Sequence, residues 1–247
     1  LQEASFVVGP SLAGIALLVS PGAALGAAAV ITAAGAVAFT SAAAGPGHLG
    51  RAATPRGLGP IGNPQLQLLT GMSGLFGVAF GTLDVAVPAF AALRGSVAMA
   101  GPLLALLALG IATGGLLLGV RPARGRGFPA VAPLAGLAAT GLALLLLAGS
   151  VADLAALIVV AGLSVGPALT TMSCALDDVV PSGTTAEAVA WTMSLFAAGT
   201  AIGAALSGQL VETGDLDAAF ALAAGTVAAA AVLALLRPFL AGGRSPA

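Results

Sequence analysis

Apolar positions in this 247-residue chain run on almost unbroken for about twenty residues at a time, and polar residues gather in the gaps between runs. A helix needs about 20 mostly apolar residues to cross the hydrocarbon core of a bilayer. Eight such runs are present, roughly 4–20, 22–44, 67–92, 97–120, 129–150, 153–175, 187–210 and 217–240. They are rich in Ala, Leu, Val and Gly, apolar all round, and show no sustained strand alternation. Helices rather than barrel strands follow, because backbone groups in lipid must be paired within their own segment. The gaps carry helix-end punctuation: Ser20-Pro21-Gly22, Pro129, Asp153 and the acidic stretch from Glu212 to Asp217. The pattern predicts an all-α, polytopic membrane protein with about eight visible spans.

Composition agrees. Apolar residues make up 59% of the chain and charged residues 7%, too few to solvate a globular surface of this size. Disordered chains are poor in hydrophobic residues, so disorder is excluded as well. The net charge of −1 offers no field for nucleic acid. All basic residues are Arg, and without Lys there is neither a Walker-type loop nor Schiff-base chemistry. One cysteine, Cys174, permits no intrachain disulfide and no thiolate metal cluster. No cofactor or metal is expected.

Arginine placement sets the orientation. If the 45–66 gap is cytoplasmic, that side holds Arg51, Arg56, Arg121, Arg124, Arg126, Arg237 and Arg244, and the other only Arg94. This is a positive-inside bias, and it makes the carboxyl terminus cytoplasmic. The first run is no signal peptide, since it lacks a basic leading region and carries Glu3. The chain opens on Leu1 with a span that begins at once, so the expectation is that an amino-terminal part is missing. The Gly/Pro-rich gap with His48 reads as a flexible linker. The expected organisation is two helices of a first bundle (1–44), a cytoplasmic linker (45–66), a six-helix bundle (67–240) and a cytoplasmic tail (241–247).

Two catalytic patterns are decoys. Gly45-Pro46-Gly47-His48-Leu49-Gly50 matches G-x-G-x-x-G, but a membrane helix precedes it, Pro55 follows, and the next acid is Asp84. Gly162-Leu163-Ser164-Val165-Gly166 matches the nucleophile elbow, yet it lies inside an apolar run and His48 is the only histidine. Small residues at helix contacts explain it better. His48 reads as a solvated loop residue and Cys174 as a small packing residue. Nothing points to an enzyme.

Glycine, at 36 residues, lets membrane helices approach closely. Gly74, Gly77, Gly81, Asp84 and Pro88 share one helix face, as do Gly162, Gly166, Thr170 and Cys174; Gly110/Gly114 and Gly199/Gly203 form further pairs. Such faces pack statically or rock between conformations. Asp84 lies about nine residues, or roughly 13 Å, inside its span. A carboxylate at that depth must face water, find a partner or take up a proton. No arginine lies at comparable depth, which makes Asp84 a proton-coupling or substrate-binding candidate. Thr184-Thr185-Ala186-Glu187 fits a capping box. Glu187 and Trp191 share a face that could line the cytoplasmic half of a pathway, and Thr170 is a further polar lining candidate.

Several motifs resemble those of the major facilitator superfamily of transporters. Val8-Gly9-Pro10-Ser11-Leu12-Ala13-Gly14 looks like the end of the Gly-Pro motif in the fifth helix of drug/proton antiporters, with Ala13 where the fuller motif has Gly. Gly115-Leu116-Leu117-Leu118-Gly119 followed by Arg121 and Arg124 is similar to the second copy of the gating motif, with Gly119 where its acid would fall. Thr185 through Trp191 looks like an eleventh helix. The resemblance covers spans five to twelve of twelve. It implies alternating access by two six-helix bundles, with inverted three-helix repeats at 67–150 and 153–240. It further implies proton-coupled efflux of small solutes, a monomer when full length, and residence in the plasma (inner) membrane. Gly9, Pro10, Gly14, Gly77, Gly81, Gly115, Gly119, Arg121 and Arg124 would then be packing or gating residues, and small solutes, protons and the bilayer the partners. The alternatives are a permease subunit of a larger complex and a membrane-embedded enzyme.

Overall fold

The computed structural model describes residues 26, 29–35, 37–38, 62–94, 97–119, 128–180 and 183–235. Six α-helices build the bundle: α1 Pro64–Leu93, α2 Ala100–Gly119, α3 Val131–Ala143, α4 Val151–Val179, α5 Thr185–Glu212 and α6 Leu216–Leu235. Single 3-10 turns lead into α2 (Val97–Met99) and α3 (Phe128–Ala130), and another (Leu144–Leu147) tightens the end of α3. With those turns included, six helices are long and apolar enough to cross a membrane, and no strand occurs among the described residues. The protein is therefore a multi-pass membrane protein. The runs at 4–20 and 22–44 fall largely outside the described residues, although 29–35 and 37–38 are helical.

Local chemistry sets the helix ends. Asn63 caps α1 by accepting a hydrogen bond from the Gln65 N–H at 3.0 Å, with Pro64 at the first helical position where its missing N–H costs nothing. Ser150 and Asp153 start α4 reciprocally. The Ser150 hydroxyl oxygen accepts from the Asp153 N–H at 3.1 Å and donates to the Asp153 carboxylate at 2.8 Å. At α5 the side-chain half of the expected capping box is not formed at Thr184. Thr184 is the N-cap residue, but at φ −117° and ψ 10° its side chain makes no cap bond to the first turn. Between α5 and α6 the chain turns at Gly214, whose φ of 79° suits a residue without Cβ, and Asp215 then caps α6 through the Ala218 N–H at 2.9 Å.

Packing follows glycine. α1 lies along α5, and α2 along α4; α6 packs on α1 and α3, and α3 on α4. In the α1–α5 seam a Cβ at Gly77 or Gly81 would collide with the carbonyls of Phe196 and Thr200, and one at Gly199 or Gly203 with those of Gly74 and Val78. The same interlocking joins Gly110 and Gly114 to Gly162 and Gly166 in the α2–α4 seam. In both seams the paired residue numbers rise together, so the partners run parallel. Only glycine allows backbones this close. The α1–α5 seam also carries three side-chain-to-backbone hydrogen bonds: Ser73 to Thr192 O (3.2 Å), Thr82 to Gly203 O (3.4 Å) and Ser207 to Thr82 O (3.0 Å).

The main pairings are unchanged when α1–α3 are exchanged with α4–α6. The α1–α5 seam maps onto α4–α2, α1–α6 onto α4–α3, and α3–α6 onto itself. The glycine pairs map too, Gly77/Gly81 onto Gly162/Gly166 and Gly110/Gly114 onto Gly199/Gly203. Three crossings separate α1 from α4, so the two triplets are inverted relative to one another. At the centre, Phe76, Leu83, Leu107, Ile111, Val165 and Val227 help enclose a void of about 10 Å³, at most the room of one water. The middle of the bundle is a packed apolar core.

Candidate functional site

The residues that could do chemistry must lie on the bundle's faces, since its centre is closed. α5 is the least covered span. Its buried positions are Ala188, Thr192, Gly199, Gly203 and Ser207, a single stripe along α1. α2 is likewise buried only along Leu103, Leu107, Gly110, Ile111 and Gly114.

Asp84 lies on α1 at a position set by its neighbours. Gly77 and Gly81 turn toward α5, whereas Phe80 and Leu83 line the central void. At 100° per residue, position 84 falls between those two directions, on the arc of α1 left uncovered beside α5. Its side chain is exposed there and has no hydrogen-bond or ion-pair partner among the described residues. Pro88 sits four residues on, inside the helix. Having no N–H, Pro88 cannot donate to the Asp84 carbonyl, so the main chain at 84 loses its ordinary helical donor. A carboxylate and a freed carbonyl thus occupy the same residue.

One turn before Asp84, Phe80 is half-buried, and its ring meets that of Phe196 on α5 with centroids 5.6 Å apart and planes tilted by 56°. Residue spacing in the sequence does not mark this aromatic pair as a unit. The signal was there: Phe80 precedes Asp84 by four residues, hence shares its face. The partner ring on α5 needed the seam register, which one sequence does not contain.

The other candidates do not join this site. Gly77 lies opposite Phe196 and Gly81 opposite Thr200, so Asp84 is level with the later turns of α5. Glu187, in the first turn of that parallel helix, is about 25 Å away along the axis. Nine residues separate Glu187 from Phe196, which puts them on opposite sides of α5. Trp191 is exposed and faces away from the Phe196 side by about 140°. Thr170 donates to its own helix, to Gly166 O at 3.0 Å, and rests against Gly115 in the α2–α4 seam. The Asn63 side chain bonds Val179 O at 3.4 Å, which aligns the start of α1 with the end of α4 and leaves Thr170 roughly 18 Å below Asp84.

Among the gating candidates, Gly77 and Gly81 are seam residues in close contact with α5. A Cβ at Gly115 would meet the Thr170 hydroxyl at 2.9 Å, whereas one at Gly119 would meet no described residue within 4 Å. Gly9, Pro10, Gly14, Arg121 and Arg124 lie outside the described residues. Cys174 is half-buried. No group of three or more His, Cys, Asp or Glu side chains could hold a metal ion among the described residues. At the carboxyl-terminal end of α1, Arg94 stacks its guanidinium over Phe90 at 4.6 Å.

Comparison with family models, with curated proteins and with solved structures finds no match for this chain. The class the fold defines is accordingly that of a multi-pass α-helical membrane protein whose six described spans repeat as two inverted triplets.

Proposed function

We propose that the chain is the carboxyl-terminal part of a secondary carrier of the major facilitator type, corresponding to spans five to twelve of twelve, which exports small solutes by alternating access. The observation that carries this reading is the inverted repetition of helix pairings, α1–α5 with α4–α2 and α1–α6 with α4–α3. Inverted repeats are the architecture from which rocking carriers are built, with substrate held between repeats or bundles rather than in a closed core. The packed centre fits a bundle that moves as one body against a second one. The two uncovered flanks, α2 and α5, would face that second bundle. In this reading Asp84 is the proton-coupling or substrate-binding carboxylate. The protein resides in the plasma (inner) membrane with its carboxyl terminus in the cytoplasm.

The test uses everted vesicles from cells that express the complete reading frame. Solute accumulation driven by a proton gradient and unaffected by ATP depletion is the expected result, and Asp84→Asn is expected to remove the gradient dependence. Transport that stops on ATP depletion while the gradient is held, together with a stoichiometric ATPase in the purified complex, would favour a permease subunit and overturn the carrier.

A further inference from the structure

The four helices of the two glycine seams form two locked pairs. Interlocked glycines hold α1 on α5 and α4 on α2 with their backbones in contact, so neither helix of a pair shifts without the other. Between the pairs, direct contact is slight: Phe76 and Leu83 of α1 and Val165 of α4 line the central void. The pairs are otherwise joined through α3 and α6, which pack on α4 and α1 and on each other. That leaves the ends of α1 and α4 as the places where one pair is fastened directly to the other.

The two ends differ. At one, the Asn63 carboxamide makes two bonds at once. Its oxygen accepts from the Gln65 N–H at 3.0 Å and caps α1, while its Nδ2 donates to Val179 O at 3.4 Å, partly shielded from solvent. Val179 is the last residue of α4, where a carbonyl has no helical donor left and takes one from outside. The inverted repeat names the counterparts at the opposite end. The register that aligns Gly77/Gly81 with Gly162/Gly166 sets Asn63 against Ala148 and Val179 against Arg94. Ala148 has no side-chain donor. Ser150, the N-cap of α4, has a hydroxyl, but it donates to the Asp153 carboxylate at 2.8 Å. The Arg94 guanidinium lies back over its own helix, on Phe90. Pro88 also removes a backbone donor from α1 near this end, which lets the last turns bend. The symmetry that holds in the seams is therefore broken at the ends.

We propose that Asn63 is a one-sided pin: the α1–α5 and α2–α4 pairs rock on each other about the Asn63–Val179 bond, and the displacement grows toward Arg94 and Ala148. A pivot of this kind needs only a few residues at element ends to absorb the change. The motion is internal to the bundle and distinct from movement of the bundle as one body. The inference rests on the fold alone, so it stands or falls separately from the carrier reading.

The test is double electron–electron resonance on the full-length protein in lipid nanodiscs, in a Cys174→Ser background. One pair of spin labels sits at Gly62 and Asp178, beside the pin, and the repeat-related pair at Leu147 and Leu93, at the other end; all four positions are exposed. Asn63→Asp keeps the capping oxygen and loses the N–H donor, so it breaks the pin and spares the cap. In the parent protein the Gly62/Asp178 distance distribution is expected to be the narrower of the two. Asn63→Asp is expected to raise its long-distance population about fivefold, the weight of one ordinary hydrogen bond, and to change the Leu93/Leu147 distribution less. Asn63→Ser, whose shorter side chain caps α1 without reaching Val179, should do the same if the charge of Asp disturbs the fold. Distributions of equal width at the two ends of the parent protein, or an unchanged Gly62/Asp178 distribution in both variants, would overturn the proposal. So would a long-distance population that rises equally at both ends, which would make Asn63 a general support of the bundle and not a pin at one end.

Discussion

Asp84 is a residue whose local environment gives it nothing to hold. Its side chain has no hydrogen-bond or ion-pair partner among the described residues, so its removal breaks no contact in the bundle. A carboxylate in the central part of a span costs about 2.5–3.5 kcal/mol on insertion scales. Replacing it by the residue that stands at the equivalent place in the second triplet, Asp84→Leu, is therefore expected to raise the thermal unfolding midpoint in detergent while abolishing transport. Stability gained where activity is lost is the usual mark of a functional group in an unfavourable setting. A lowered midpoint would mean that the acid is structural after all. The depth of Asp84 was legible from the sequence, because one acid inside an apolar run stands out. Its exposure and the ring pair beside it were not, because they depend on which arc of α1 is covered by α5. A second residue-scale contrast concerns caps. Thr184-x-x-Glu187 has the pattern of a capping box, but it is at Ser150 that a side-chain cap is made, since Ser150 takes the extended backbone (φ −137°, ψ 168°) that points its hydroxyl back at the Asp153 N–H. Ser150→Ala is expected to cost about 1 kcal/mol by chemical denaturation.

At the scale of elements, the apolar runs anticipated the six described spans closely, 67–92 becoming Pro64–Leu93 and 187–210 becoming Thr185–Glu212. The runs fell short where helices continue into polar residues, as at Gln65 in α1 or Asp177 and Asp178 in α4. Hydropathy marks the lipid-embedded length of a helix, whereas hydrogen bonding continues until a cap ends it. The glycine spacing was also legible, because a step of four residues keeps small residues on one face whatever the partner is. Which faces meet was not, since a small-residue stripe does not name the helix it packs on. The seams now separate close-packed glycines from idle ones. Gly81→Ala and Gly166→Ala would drive a Cβ into backbone on the facing helix, where no side chain can move aside. Each is expected to cost about 1–3 kcal/mol, the range for overpacking, measured as a loss of thermal midpoint in detergent. Gly136→Ala and Gly225→Ala enter open space and are expected to leave the midpoint unchanged. Equal behaviour of the two pairs would show that the seams are looser than the structure has them.

For the whole molecule, the inverted triplets make a demand on topology that arginine counting alone cannot make. Counting says which end of each span faces the cytoplasm, and it depends on Arg51, Arg56, Arg121, Arg124 and Arg126, all outside the described residues. The helix pairings say which ends lie together, whichever side that is. The bond from Asn63 to Val179 O ties the start of α1 to the end of α4. The parallel seams then bring the start of α5 to that same end, and the turns at Gly149 and Gly214 to the opposite one along with Arg94. In a Cys174→Ser background, single cysteines at Asn63 and Gly183 should therefore react as one group with a membrane-impermeant maleimide, and those at Arg94, Gly149 and Gly214 as the other. Intact cells should label only the second group if the positive-inside bias, which predicts a cytoplasmic Asn63 end, holds. Labelling that mixes the groups would break the inverted repeat, and with it the architecture on which the carrier reading stands. Labelling of the first group alone would keep the repeat and invert the orientation, so the experiment separates what the fold dictates from what charge dictates.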